Sequence, residues 1–205
     1  MNEIPGTIAL DLLLGRTDEI AVALGGMAAY STGLQFDLRV RQKTSTRFVD
    51  DRGPQMRLHE QVMGARGRGG GGDDALLLGF GYPDGRTVTN VGAHRSPWEE
   101  SDDAPILHPG SGGGDHQAYD ASFWLSPLPR GDLAVICAWP ARGVEEFHGV
   151  IGRRIIEDAV ARVVELWPWS DDEEPRTSES PRLPKLPSDS WFTTALGDQS
   201  GGSSQ

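Results

Sequence analysis

The clearest pattern in the chain is LQFDLRVR, Leu34 to Arg41. Leu34, Phe36, Leu38 and Val40 point one way, and Gln35, Asp37, Arg39 and Arg41 point the other. A period of two with one apolar row is the signature of a strand resting on a core with its other face in water. Upstream, Ile20, Val22 and Leu24 alternate with alanines until Gly25-Gly26, a pair that predicts a bulge or a close backbone approach. The Ser31-Thr32-Gly33 turn between the two runs predicts that they pair as a hairpin.

A second, richer pattern is FWLSPLPRGDLAVICAWP, Phe123 to Pro140. Two apolar runs flank Pro129-Arg130-Gly131-Asp132, which predicts a tight hairpin at the centre of the core. In the second run Leu133, Val135, Cys137 and Trp139 share one face, and Ala134, Ile136 and Ala138 the other. Both rows are apolar, which predicts a strand covered on both sides. Trp124 and Trp139 are both expected in the core.

Weaker patterns fill in the rest. Ile8 to Leu14 suits a short strand or a helical turn. Leu76 to Tyr82 and Arg86 to Val91 are strands joined by Pro83-Asp84-Gly85, where Pro presets φ and Gly accepts a positive one. Pro105 to Leu107 and Val144 to Val150 read as short edge strands. From Arg153 the period changes. Ile155, Ile156, Ala159, Val160, Val163, Val164 and Trp167 form a helical stripe, and Pro168 is the expected stop. Lys43 to Asp74 lacks a sustained period apart from a turn of helix at Met56 to Met63, and reads as a flexible loop. HPGSGGGDHQAYD, from His108, reads as a second glycine-rich loop.

Composition agrees with a turn-rich β domain: 27 glycines and 14 prolines favour many turns over a helical bundle. From Ser170 the chain becomes acidic, polar and proline-rich, predicting a disordered tail over residues 169–205 behind a domain over 1–168. The net charge of −11 argues against nucleic acid or an anionic membrane as partner, since both call for a basic surface. The first residues, MNEIPGTIALDLLLG, carry Glu3 and Asp11 and lack a basic leader pattern, so a cytoplasmic location is expected. Cys137 is the single cysteine and excludes an internal disulfide and a thiolate-rich zinc site.

Candidate chemistry is sparse. Neither glycine-rich stretch leads into a helix or matches GxxxxGK[ST], so neither reads as a phosphate cradle. Arg66 and Arg68 in the first loop could meet an anion. His108, Asp115 and His116 could hold a metal, with His94 or His148 completing the set, although their spacing fits no established ligand motif. Trp191 and Phe192 form an aromatic island in the tail that could dock on a partner.

Four segments together, YSTGLQFDLRV, LLLGFGYPDGRTVTN, FWLSPLPRGDLAVICAWPARGV and the closing Leu166-Trp167, resemble an uncharacterised family of actinobacterial proteins with a β-sandwich fold. The resemblance covers most of residues 5–168. It implies fold and lineage, and it assigns no activity and no functional residue. The expected architecture is a mainly β, antiparallel, Ig-like β-sandwich of seven or eight strands with one C-terminal helix. The expected role is a non-catalytic binding or protein-interaction domain needing no cofactor. The alternative is a metal- or anion-dependent enzyme built on the glycine-rich segment 110–116.

Overall fold

In the computed structural model, Leu34, Phe36, Leu38 and Val40 are all fully buried, and the strand that carries them lies in the middle of the larger of two main antiparallel sheets. The structure describes residues 2–43, 53–63, 74–91, 104–115 and 117–167. These fall within a unit spanning Met1–Pro168. Arg66, Arg68, His94, His116, Trp191, Phe192 and the segment 169–205 lie outside the described residues.

In chain order the strands are β1 (Glu3–Ile4), β2 (Gly6–Ile8), β3 (Leu12–Arg16), β4 (Ile20–Ala29) and β5 (Leu34–Gln42). After helix α1 (Gly53–Met63) come β6 (Leu77–Gly81), β7 (Thr87–Thr89), β8 (Ile106–Gly114), β9 (Ala118–Ser126) and β10 (Leu133–Trp139). A 3-10 turn (Pro140–Arg142) leads to β11 (Val144–Ile151), helix α2 (Arg153–Val160) and β12 (Val164–Glu165). The larger sheet runs β2-β4-β5-β9-β8, with β3 also on β4, and the smaller runs β11-β10-β6-β7. β1 and β12 form a separate pair.

Each sheet turns an apolar row inward. From the larger sheet these include Val22, Leu24, Phe36, Leu38, Ala121 and Phe123, and from the smaller Leu78, Phe80, Leu133, Val135, Cys137 and Trp139. The rows meet where the Phe36 and Phe80 rings lie 5.1 Å apart at 56°, while Phe36 stacks on Phe123 of the neighbouring strand at 5.7 Å. Fully burying a ring of this size contributes about 3 kcal/mol, and each well-placed aromatic pair adds about 1 kcal/mol. The β4–β5 hairpin forms as its alternation predicts, and its register slips between Gly25 and Ala28. Gly26 there has φ +59°, a left-handed conformation that calls for glycine at the bulge, and a Cβ would also push the Asp37 carboxylate aside.

Four expectations from the sequence are corrected. Phe123 to Pro140 is not a hairpin: β9 pairs with β5 and β8, whereas β10 pairs with β6 and β11 in the other sheet. Both apolar runs are real strands, but each finds better partners across the chain, and residues 127–132 carry the backbone from one sheet to the other. The glycine-rich segment from His108 is not a loop. It is the far half of edge strand β8, with its glycine backbone hydrogen-bonded along β9. Trp124 faces out of the larger sheet, half-buried and edge-on to Tyr30 at 5.3 Å. Finally, α2 ends at Val160 rather than Trp167. The Arg162 guanidinium donates to the Asp158 carbonyl, and Val164 pairs with Ile4 instead of extending the helical stripe. Tertiary pairing outweighs a helical propensity that β-branched valines support only weakly.

The row Ala134, Ile136 and Ala138 also departs from expectation. Ala138 is buried, but Ala134 and Ile136 are half-buried and their neighbour Val150 is 64% exposed, so the outer side of β10 is deeply covered only at its Ala138 end.

Candidate functional site

One end of the domain is closed by α1, which packs Leu58, Val62 and Met63 into the core beside β8 and β9. Polar groups at that end bond to one another. His59 Nδ1 meets the Tyr119 hydroxyl, Gln61 Nε2 donates to Asp74 at 2.8 Å, and Arg142 donates to Gln61 at 3.0 Å. The Trp139 indole N–H donates to the Asp74 carbonyl at 2.9 Å, completing the seal.

The opposite end carries a cleft. Four connections converge there: the β4–β5 turn, the β6–β7 turn, the entry to β8, and the crossing from β9 to β10. They enclose a cleft of about 940 Å³, within the usual range for small-molecule sites. Ser31 and Thr32 form one rim, Tyr82 to Arg86 another, Ile106 and Ser126 the sheet side, and Pro127, Leu128 and Arg130 the crossing.

Local sequence builds each wall. In the β6–β7 turn the Gly85 N–H donates to the Tyr82 carbonyl at 3.0 Å and the Tyr82 N–H to the Arg86 carbonyl at 2.8 Å. Gly85 has φ +87°, the conformation that a turn starting at Pro83 calls for next. Asp84 then chelates Arg86, accepting from its backbone N–H at 3.0 Å and its Nε at 2.8 Å. These bonds hold the Asp84 carboxyl below the usual carboxylate range. The Arg86 guanidinium also lies 5.5 Å from the centre of the Tyr82 ring.

Tyr82 is the hinge pin between two walls. Its hydroxyl donates to the Pro127 carbonyl at 2.8 Å. Burial pushes its phenol well above the usual range, with Arg86 opposing and Asp84 reinforcing, so it stays a hydrogen-bond donor at neutral pH. The crossing fits tightly against the same turn, since a Cβ on Gly131 would come within 2.6 Å of Pro83 Cγ. On the far rim the Ser31 N–H donates to Glu3 at 3.0 Å, and bonds from Ser31 hold the Glu3 carboxyl below its usual range. Arg130 is different: it is exposed, and no described carboxylate pairs with it.

Of the residues singled out from sequence as metal ligands, the described ones, His108, Asp115 and His148, do not converge here. His108 is exposed on β8 opposite Trp124, and Asp115 lies beyond the other end of that strand, about 20 Å away along an extended backbone. The Asp115 carboxylate accepts from the Gln117 and Ala118 backbone N–H groups at 2.7 and 2.8 Å, shaping the β8–β9 turn. His148 belongs to the smaller sheet and bonds to Glu146 at 2.6 Å. Among the described residues no three His, Cys, Asp or Glu side chains gather in a metal-binding group. Sequence reasoning missed the cleft because its walls are up to about a hundred residues apart. The one available signal was polar turn residues, Pro83-Asp84-Gly85-Arg86 and Pro129-Arg130, beside strongly apolar strands. No family model matches the chain, and no curated protein or solved structure was found to match it.

Proposed function

We propose that this protein is a non-catalytic binding domain that takes a small ligand in the cleft formed by Ser31, Tyr82, Ile106, Leu128 and Arg130. The observation carrying this reading is the cleft itself, whose rims are fixed by the Tyr82 to Pro127 and Arg86 to Asp84 bonds. A pre-formed site loses little ordering entropy when a ligand enters. Tyr82 and Arg86 are committed to structural partners, which suits holding a ligand better than transferring a proton.

We also read the two facing sheets as an Ig-like β-sandwich. The Phe36–Phe80 contact and the alternating inward rows support that architecture. The likeness to the actinobacterial family and a cytoplasmic location rest on the sequence patterns described above.

A thermal-shift screen against a chemically broad metabolite library tests the binding role. At least one compound should raise the wild-type Tm by several degrees, and Thr32→Trp, which puts bulk on the cleft rim, should abolish that shift. If no compound acted, or if all acted equally on Thr32→Trp, the cleft would not be the binding site.

A further inference from the structure

We infer that the ligand of this cleft is a small monoanion, with a carboxylate on Arg130 and an apolar body along Ile106, Pro127 and Leu128. This rests on the binding reading just given and specifies its chemistry. Among the described residues, the lining carries two guanidinium groups against one carboxylate, in a chain whose net charge is −11. At physiological salt the screening length is about 8 Å, so charges lining the cleft outweigh the acidic surface beyond it. Arg86 is already neutralised: Asp84 takes its Nε, and its Nη2 lies 2.7 Å from the same carboxylate. Among the described residues Arg130 is therefore the cation left for a ligand, and its planar fork matches a carboxylate in a paired geometry.

The same electrostatics limits the charge of the guest. Asp84 in the lining and Glu3, bonded to Ser31 on the rim, are two carboxylates near the ligand space. Asp84 is cancelled by Arg86, so Arg130 balances one negative charge on the guest, and the Glu3 carboxylate opposes a second. Ile106, Pro127 and Leu128 are half-buried and offer apolar surface to the rest of the molecule. A site with one cationic anchor and an apolar wall selects an amphiphilic acid over a purely polar anion.

The test uses the full chain, uniformly 15N-labelled, titrated with benzoate, benzamide and inorganic phosphate. Benzoate should shift the Thr32, Tyr82, Arg86 and Leu128 amide resonances saturably, and should bind about tenfold more tightly than benzamide, the scale of one charged hydrogen-bonded pair. Phosphate should bind more weakly than benzoate. In Arg130→Gln the benzoate preference should vanish while the other resonances keep their positions, since the side chain is exposed. Equal binding of benzoate and benzamide, a preference surviving in Arg130→Gln, or phosphate matching benzoate would each overturn the anion assignment. If neither ring compound moved the cleft amides, the binding reading would fall as well.

Discussion

Cys137 shows how a single residue's environment sets its chemistry. Its side chain is fully buried in β10, and burial pushes its thiol from the ordinary 9.0 up to about 12. The native protein should therefore resist a thiol reagent such as dithionitrobenzoate at pH 8 and react promptly once unfolded in urea. The same shift has a stability consequence. The folded thiol keeps its proton where the unfolded one has lost it, so stability is full below pH 9 and declines as pH rises toward 12. At pH 10 the loss from this group is on the order of 1 kcal/mol, with Tyr82 acting in the same direction at higher pH. Urea titrations at pH 7 and pH 10 should show the difference, and Cys137→Ala should largely remove it. An equal decline in that variant would place the cause elsewhere.

Asn90 makes the complementary case for a buried polar group. Its Nδ2 donates to the Leu76 carbonyl at 2.9 Å and its Oδ1 accepts from the Leu78 N–H at 2.8 Å, so one side chain extends the β6–β7 ladder. Asn90→Leu would leave both backbone groups unpartnered inside the domain. A loss of about 2–4 kcal/mol in chemical denaturation is expected. A change below 0.5 kcal/mol would mean that water replaces the amide.

At the scale of elements, β8 is the instructive strand. No apolar alternation marks its glycine half, yet it forms a strand because β9 supplies backbone partners, and three of its glycines, Gly110, Gly112 and Gly114, lie close against that strand. A Cβ on Gly114 would lie 2.0 Å from the Ala118 carbonyl oxygen, whereas one on Gly113 would meet nothing within 4 Å. Gly114→Ala should therefore cost about 2 kcal/mol or more, while Gly113→Ala should be neutral or stabilising by up to about 1 kcal/mol. Parallel urea titrations of the two variants decide it, and equal effects would refute a backbone-limited β8. Helix α2 carries the same lesson in reverse. Its stripe from Ile155 to Trp167 is visible in the sequence, but Ile156 and Ala159 are the buried members, facing β2 and β4, and the later valines lie beyond the helix. Local period reports which residues prefer a helix, and it does not report which strand competes for the last turn.

At the scale of the molecule, the order of strands determines where stability resides. β5 and β9 are interior strands of the larger sheet, and β10 is an interior strand of the smaller. Their amides should exchange slowest with deuterium, close to the global unfolding limit, while those of the two-residue pair β1–β12 should exchange first. Protection of β1 equal to that of β5 would contradict this arrangement.

What the sequence determined by itself was the local grammar. The alternation from Leu34 to Arg41, the Pro83-Asp84-Gly85 turn, the inward row Leu133, Val135, Cys137 and Trp139, and the mainly β, antiparallel character all follow from side-chain period and turn chemistry. Those signals act over a few residues, and a strand's neighbours in the chain state them completely. Only the tertiary structure decided which strands pair, that β9 and β10 part into different sheets, that a glycine run becomes a strand, and that Ser31, Tyr82, Ile106 and Arg130 line one cleft. Each of these depends on a contact between residues far apart in the chain, where the outcome is a competition among many partners of similar local quality. The pairings that bury the most apolar surface while satisfying both edges prevail, and no short stretch of sequence records that comparison.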